Sequence, residues 1–483
     1  MRILIAAAEA TPYVKTGGLA DVTGSLLKEF RKKGDNVSLV LPLYRAVKER
    51  CELYPTETSV RLKMGGPELT ANIWTSEKSP SPGAYFIECD ELYGRDELYG
   101  ESNGDYPDNA LRFAFFSRAV LETCVAMDIR PDVIHCNDWQ TGLVPLYLKA
   151  MYRGEKSLKK TAVLFTIHNI GYQGLFPPSD LPFTGLGRQY FNPEGIEFYG
   201  KVSYMKAGLL YSDLLNTVSV TYAREILDEE HGFGLDGVLR KRKKDLLGVV
   251  NGVDYHEWDP AADTFIPAPY SREDMHGKRD CKVRLLEVTG LRNAKLPLFG
   301  IVSRFSSQKG LDLVAGSLDE LVGLGANMAI LGKGDEFYQR LLAEIAARHA
   351  GRVFLRVGFE ESLAHLIYAG CDFFLMPSKY EPCGLGQLIA LKYGTVPVAR
   401  NTGGLADTIQ DFDHLSSKGT GLLFNGYTPD ALRDAMKRAL CVFSNDKARE
   451  KMRSNGMKAD FSWERSSRQY TELYRRAAGR VRA

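Results

Sequence analysis

The sequence contains no CxxC pair. Its eight cysteines, at positions 51, 89, 124, 136, 281, 371, 383 and 441, are scattered, which argues against a zinc site and against a disulfide framework. Several sit in apolar runs such as "VIHCND" and "AGCDFFLMP", where cysteine reads as a small buried hydrophobe, and the pattern fits a reducing cytoplasm. An excess of one charge is missing too. Sixty-two Lys and Arg against 60 Asp and Glu give a formal charge of +2, without the basic footprint of a dedicated nucleic-acid binder. The one basic run, "RKRKKD" from Arg240 to Asp245, reads as a solvated helix end. No run of 18 apolar residues occurs, so no membrane-spanning helix is expected. The start, "MRILIAAAEATPY", has a minimal charged region and is interrupted by Glu9 and Pro12; it reads as a buried first strand rather than a secretory signal. The expectation is a cytoplasmic protein without nucleic-acid or membrane partners.

At 483 residues the chain exceeds one ordinary core, and two domains are expected. Short, continuously apolar runs ("ILIAAA", "NVSLVLP", "VIHC", "AVLFTIH", "LLNTVS") alternate with longer helical patterns. That rhythm predicts parallel strands buried on both faces and a doubly wound α/β sheet. It fades in a proline-bearing stretch from Asp259 to Pro297, then restarts with "LFGIVSR", "MAILGKG", "VFLRVGF", "FFLMPS" and "TVPVAR". The tail "FSWERSSRQYTELYRRAAGRVRA" predicts a final amphipathic helix.

One hexamer, "TGGLAD", occurs twice, at Thr16 to Asp21 and at Thr402 to Asp407. Each copy follows a predicted strand and opens a predicted helix. Paired glycines there admit a ligand close to the backbone, and the free N–H groups of a helix start favour an anion. A turn needed only for chain reversal is the plainer alternative. Neither copy fits the dinucleotide or P-loop glycine patterns.

In open α/β sheets, ligands bind beyond the carboxyl ends of the strands. Polar residues at those ends are therefore the candidates. "FGIVSRFSSQKG" supplies Arg304 and Lys309, two cations suited to a diphosphate. "PSKYEPCGLGQ" supplies Glu381, a carboxylate able to accept paired sugar hydroxyls, and Cys383, a thiol by position but without a histidine near it in sequence. "VIHCNDWQTG" ends with Asp138 and Trp139, and "LFTIHNIGYQG" with His168 and Asn169, which place hydrogen-bonding groups beside aromatic faces. Lys15 precedes the first hexamer as a further cation. The acidic pair at Asp411 and Asp413 falls in a predicted helix or its exit, and no His/Cys cluster has metal-ligand spacing. No metal and no cofactor are expected.

"KTGGLADV", "DVIHCNDWQTGLVP", "FTIHNIGYQG", "KAGLLYSD", "NTVSVTYAREI", "GVVNGVD", "VSRFSSQKGLDL", "PSKYEPCGLGQLIALKYGTVPV" and "NTGGLADT", in this order and across nearly the whole chain, resemble the bacterial glycogen synthases of the type shared with plant starch synthases. The resemblance implies two Rossmann-like domains facing a cleft, the glycosyltransferase B fold. With the rhythm of the chain it divides the protein into 1–245 (acceptor side), 246–461 (nucleotide-sugar donor side) and a helix, 462–483, returning to the first domain. It implies transfer of glucose from ADP-glucose to the non-reducing end of an α-1,4-glucan with retention, and closure of the cleft during it. Another nucleotide sugar or acceptor, or a catalytically silent glucan-binding protein, are the alternatives.

Carried over by position, the resemblance implies that Arg304 and Lys309 hold the diphosphate and Glu381 the donor sugar. Asp138 and His168, with Asn169 beside them, would line the transferred glucose. It likewise sets Lys15, Gly17, Gly18, Tyr93, Cys383, Gly384, Leu385, Thr402, Gly403 and Gly404 at the substrate. The broader group carries two glutamates eight positions apart; here the second place is Ile389, so a mechanism needing two carboxylates on the donor side is in doubt.

Overall fold

A computed structural model describes residues 1–482 other than 67, 80, 81, 102, 103 and 414. The chain forms two compact units: Met1–Val218 with Ala223–Val249 and Trp463–Ala483, and Ser219–Tyr222 with Val250–Ser462.

The first unit is built on nine strands: β1 (Arg2–Ala6), β2 (Asn36–Pro42), β3 (Tyr54–Lys63), β4 (Glu68–Thr75), β5 (Ala84–Glu88), β6 (Val133–Asn137), β7 (Ala162–Ile167), β8 (Leu214–Thr217) and β9 (Leu246–Gly248). Their order in the sheet is β9-β8-β7-β6-β1-β2-β5-β4-β3. Every pairing is parallel except those of β4 with β3 and β5. The central strands β6 and β7 are buried throughout, as helices on both faces of a parallel sheet require. At the edge, β3 alternates between covered and exposed residues, so that hairpin has one wet face. Its polar sequence, "YPTETSVRLK", has no apolar run, and the reading of buried runs names no strand there.

Because β9 completes this sheet, the first unit reaches Val249, four residues past the expected limit of 245. The closing helix, α1 (Trp463–Arg482), belongs to the first unit. Its Tyr474 hydroxyl lies 3.0 Å from His135 Nδ1, and the Tyr474 ring packs on Phe30.

The second unit holds six parallel strands, β10 (Leu298–Phe305), β11 (Asn327–Gly334), β12 (Val353–Val357), β13 (Phe373–Met376), β14 (Val396–Arg400) and β15 (Leu422–Phe424). They are ordered β12-β11-β10-β13-β14-β15. Counted within the unit this is 3-2-1-4-5-6, the Rossmann order. The winding reverses between β10 and β13, and in the first unit between β1 and β6. Those reversal points, at the strands' carboxyl ends, are where an open α/β sheet binds its ligand. Asp411 and Asp413 lie past the end of the helix Gly403–Thr408, at its exit, in isolated β-bridges; Asp411 pairs with Arg438 at 2.8 Å.

Candidate active site

In the second unit the two loops at the reversal point are drawn together by a backbone contact. Gly310 follows Lys309 with φ +68, and a Cβ on it would stand 2.1 Å from the Pro377 carbonyl oxygen. Only glycine permits that approach. It sets Lys309, from the turn after β10, against Glu381, from the loop after β13. Lys309 Nζ lies 2.7 Å from Glu381 Oε2, with the side chains 17% and 5% exposed. Ser378 Oγ donates to the same oxygen at 2.9 Å. Arg304, near the end of β10, is exposed, and its guanidinium has no ion-pair partner among the described residues.

The second hexamer seats itself against this loop. Gly404 N–H donates to the Glu381 carbonyl at 3.0 Å. Thr402 is buried and stands at the N-terminal boundary of the short helix Gly403–Thr408, whose Gly403 has φ +46. Cys383 is buried, Gly384 adopts φ +74, and Leu385 packs against buried apolar side chains of the second unit. Asp407, the last residue of the hexamer, accepts from Ser219 Oγ at 2.8 Å and Thr221 N–H at 3.0 Å.

Burial pushes the Cys383 thiol up to about 12, despite a hydrogen bond from the Asn251 backbone. A thiol that is protonated and covered is a poor nucleophile. Iodoacetamide at pH 8 is therefore expected to label exposed Cys441 first and to leave Cys383 unmodified in the folded protein. Peptide mapping checks this, and early labelling of Cys383 would show an accessible, reactive thiol there instead.

In the first unit the reversal point carries Asp138 just after β6. Asp138 has φ +55, an uncommon conformation outside glycine that marks a constrained turn. Its Oδ1 accepts the His168 N–H at 2.7 Å. His168 Nε2 lies 2.9 Å from Asn137 Oδ1. The amide nitrogen of Asn137 is committed to the Ala6 and His135 carbonyls, so its oxygen accepts and His168 Nε2 carries the proton. Asn169 Oδ1 accepts from Gly171 N–H at 3.0 Å.

Beside β1, the first hexamer is held by Glu9, whose carboxylate accepts Thr16 Oγ1 at 2.7 Å, Gly17 N–H at 3.2 Å and the Tyr99 hydroxyl at 2.6 Å. Gly18 opens the helix that follows. Lys15 is exposed and pairs with Asp21 Oδ1 at 2.7 Å.

Tyr93 is the residue the structure places elsewhere. It is fully buried, its hydroxyl donating to the Arg112 carbonyl at 2.8 Å and its ring set against Tyr44 and Phe115. Tyr99, six residues on, is the tyrosine beside the hexamer. Glu9, Tyr99, Asn137, Asn251 and Asp407 escaped the sequence reading. A carboxylate just beyond the first strand was the available signal for Glu9.

Burial governs the titration of this half. It raises the Asp138 carboxyl to about 7, aided by the Glu9 charge, against the hydrogen bonds from the His168 and Asn169 backbone. It lowers His168 to about 3 and His135 to about 3. A raised Asp favours the fold at low pH, and its contribution disappears as pH rises through about 7. Lowered histidines do the reverse, stabilising above their unfolded value of about 6.5 and losing that on acidification. Between roughly pH 4 and 6.5 one group opposes two, leaving a net slope of about +1.4 kcal/mol per pH unit. Urea melts across that window are expected to show stability rising with pH. Asp138→Asn should steepen the rise about twofold, and a slope unchanged in that variant would contradict the assignment.

A family model described as "Starch synthase catalytic domain" matches residues 2–241. One for "Glycosyl transferases group 1" matches residues 287–459. Together with the two doubly wound units, these define a glycosyltransferase of the B fold. The glycogen synthase of Thermodesulfovibrio yellowstonii is 42% identical, covering 99% of this chain and 98% of that one. That of Geotalea uraniireducens is 47% identical, with 99% of each covered. The catalytic domain of starch synthase IV from Arabidopsis thaliana, bound to ADP and acarbose, superposes with a TM-score of 0.89 at 33% identity over 99% of each chain. The chain belongs to the glycogen and starch synthase family. A sucrose-phosphate synthase from Thermosynechococcus elongatus, at 18% identity and TM-score 0.63, shares the fold alone. No helix among the described residues is long and apolar enough to cross a membrane.

Proposed function

We propose that this protein transfers glucose from ADP-glucose to the non-reducing end of an α-1,4-glucan with retention at the anomeric carbon. The observation that carries the proposal is the Lys309–Glu381 pair at the reversal point of the second unit, with Arg304 on the strand beside it. Breaking the anomeric C–O bond puts negative charge on the departing diphosphate and positive charge on the sugar. Cations fixed before the reaction stabilise that charge without reorganising. Lys309 and Arg304 supply them, and this chemistry needs no resident metal. Glu381 accepts sugar hydroxyls and orients Lys309. The solved relative bound to ADP and acarbose supports an adenine nucleotide and a glucan-like acceptor.

On the acceptor side, Lys15, paired with Asp21, is the cation assigned to the diphosphate. His168 is neutral at pH 7, and its Nδ1 is left to accept a glucose hydroxyl. The Asp138 carboxyl is committed to backbone N–H groups, and burial opposes its charge, which suits positioning better than nucleophilic attack. We therefore favour same-face attack, in which the departing phosphate takes the acceptor hydroxyl's proton. A glucosyl adduct trapped on Asp138 would overturn that step. Incorporation of labelled glucose into glycogen, compared between ADP-glucose and UDP-glucose, tests the whole reading. Incorporation from ADP-glucose at least tenfold above UDP-glucose is the expected result; none from either would leave only a glucan-binding protein.

A further inference from the structure

We propose that Glu257, Glu361 and His365 form a binding site for one divalent transition-metal ion of the zinc class. None of the three belongs to the loops around Lys309 and Glu381. One ligand atom from each lies within 4.8 Å of the other two. Glu361 and His365 are four residues apart in the helix Glu361–Gly370, so they project from one face a turn apart. Glu257 comes from a loop more than a hundred positions earlier, which is why ligand spacing in the sequence gave no sign of the cluster.

The second observation is the state of the imidazole. His365 is 1% exposed. Its Nδ1 lies 2.8 Å from Asp263 Oδ2, and the Tyr393 hydroxyl donates to that same oxygen at 2.6 Å. An ionised carboxylate only accepts, so Nδ1 carries the proton and Nε2 presents its lone pair. Nε2 is buried and has no hydrogen-bond partner. The ring cannot turn away to find one, because it stacks on Trp258 at 3.9 Å with an interplanar angle of 10° and abuts Phe265.

A carboxylate–histidine pair with its outer nitrogen free is how proteins orient a histidine toward zinc. The two glutamates are exposed and can close by the ~1 Å that zinc–oxygen bonds of about 2.0–2.2 Å require. One nitrogen and two carboxylates leave a fourth position to water, and imidazole favours zinc or cobalt over magnesium. The bound ion would staple the loop around Trp258 to the helix Glu361–Gly370.

The test uses the full chain, stripped with a chelator and titrated with zinc chloride, then with cobalt(II). One zinc per chain is expected, together with the visible bands of low-coordinate cobalt(II). Glu257→Gln combined with Glu361→Gln should weaken binding at least 100-fold and abolish those bands. Asp263→Asn should weaken it about tenfold, the lower end for an outer partner. Both glutamates are exposed, so the double variant should keep the wild-type circular dichroism without metal. Zinc should raise the melting temperature of the wild type and not of the double variant. Failure to bind one equivalent, or equal binding by wild type and the double variant, overturns the proposal.

Discussion

Replacing Arg304 or Lys309 with alanine is expected to lower glucosyl transfer by about 10²–10³, the scale of removing one charge-stabilising donor from a developing anion. The two variants should part company in stability. Lys309 is paired with a carboxylate whose side chain is 5% exposed. Its loss strands that charge in a dry place, at a cost of about 3–5 kcal/mol. Arg304 is exposed and its guanidinium is unpaired among the described residues, so Arg304→Ala should leave stability within about 0.5 kcal/mol. Turnover with saturating ADP-glucose and glycogen, measured beside urea melts, checks both halves. Arg304→Ala is the cleaner probe, because a fall in turnover at unchanged stability isolates charge stabilisation from folding. Near-wild-type turnover in both variants would remove the diphosphate assignment, whatever the family.

How much of this was legible in the sequence follows from which physical signals are local. The parallel strands announce themselves because a strand covered on both faces must be apolar along its length, as "VIHC" and "AVLFTI" are. The hairpin of β3 and β4 does not, because a half-wet edge strand needs only alternation. Arg304, Lys309, Glu381, Asp138 and His168 were chosen by position, and each does lie at or just past a strand end, where the winding order puts the ligand side of an open sheet. The pairing of Lys309 with Glu381 could not be read, because it depends on loops 72 residues apart approaching through Gly310. Tyr93 and Tyr99 stand six residues apart in one local sequence, and only packing decides which is buried beneath Arg112. Asp263, His365 and Trp258 lay in stretches without strand-end signals, and nothing in their spacing marks them.

Gly404→Ala should be among the most damaging substitutions in the chain, and Gly17→Ala among the mildest to the fold, although both glycines belong to the same hexamer. A Cβ at Gly404 would stand 2.1 Å from the Cys383 carbonyl oxygen and 2.4 Å from its Cα. Both are backbone atoms of the loop that also carries Glu381, so no side-chain rotation relieves the clash. The Gly404 N–H to Glu381 carbonyl bond would break with it. Overpacking of this kind costs about 1–3 kcal/mol, occasionally more, and here it displaces a donor-site residue. A melt lowered by that amount and transfer reduced at least about 10²-fold are expected. At Gly17 a Cβ meets nothing within 4 Å, and its φ of −154° is open to any residue. Gly17→Ala should therefore melt like the wild type. If the open space there belongs to substrate, kcat/KM should still fall by about 5- to 150-fold, the equivalent of about 1–3 kcal/mol of overlap. Unchanged kinetics for Gly17→Ala would mean that the first copy serves chain reversal alone. A fall confined to kinetics at Gly17, with a combined loss at Gly404, would show one hexamer doing two jobs: close approach to a ligand in the first unit, close approach of backbone to backbone in the second.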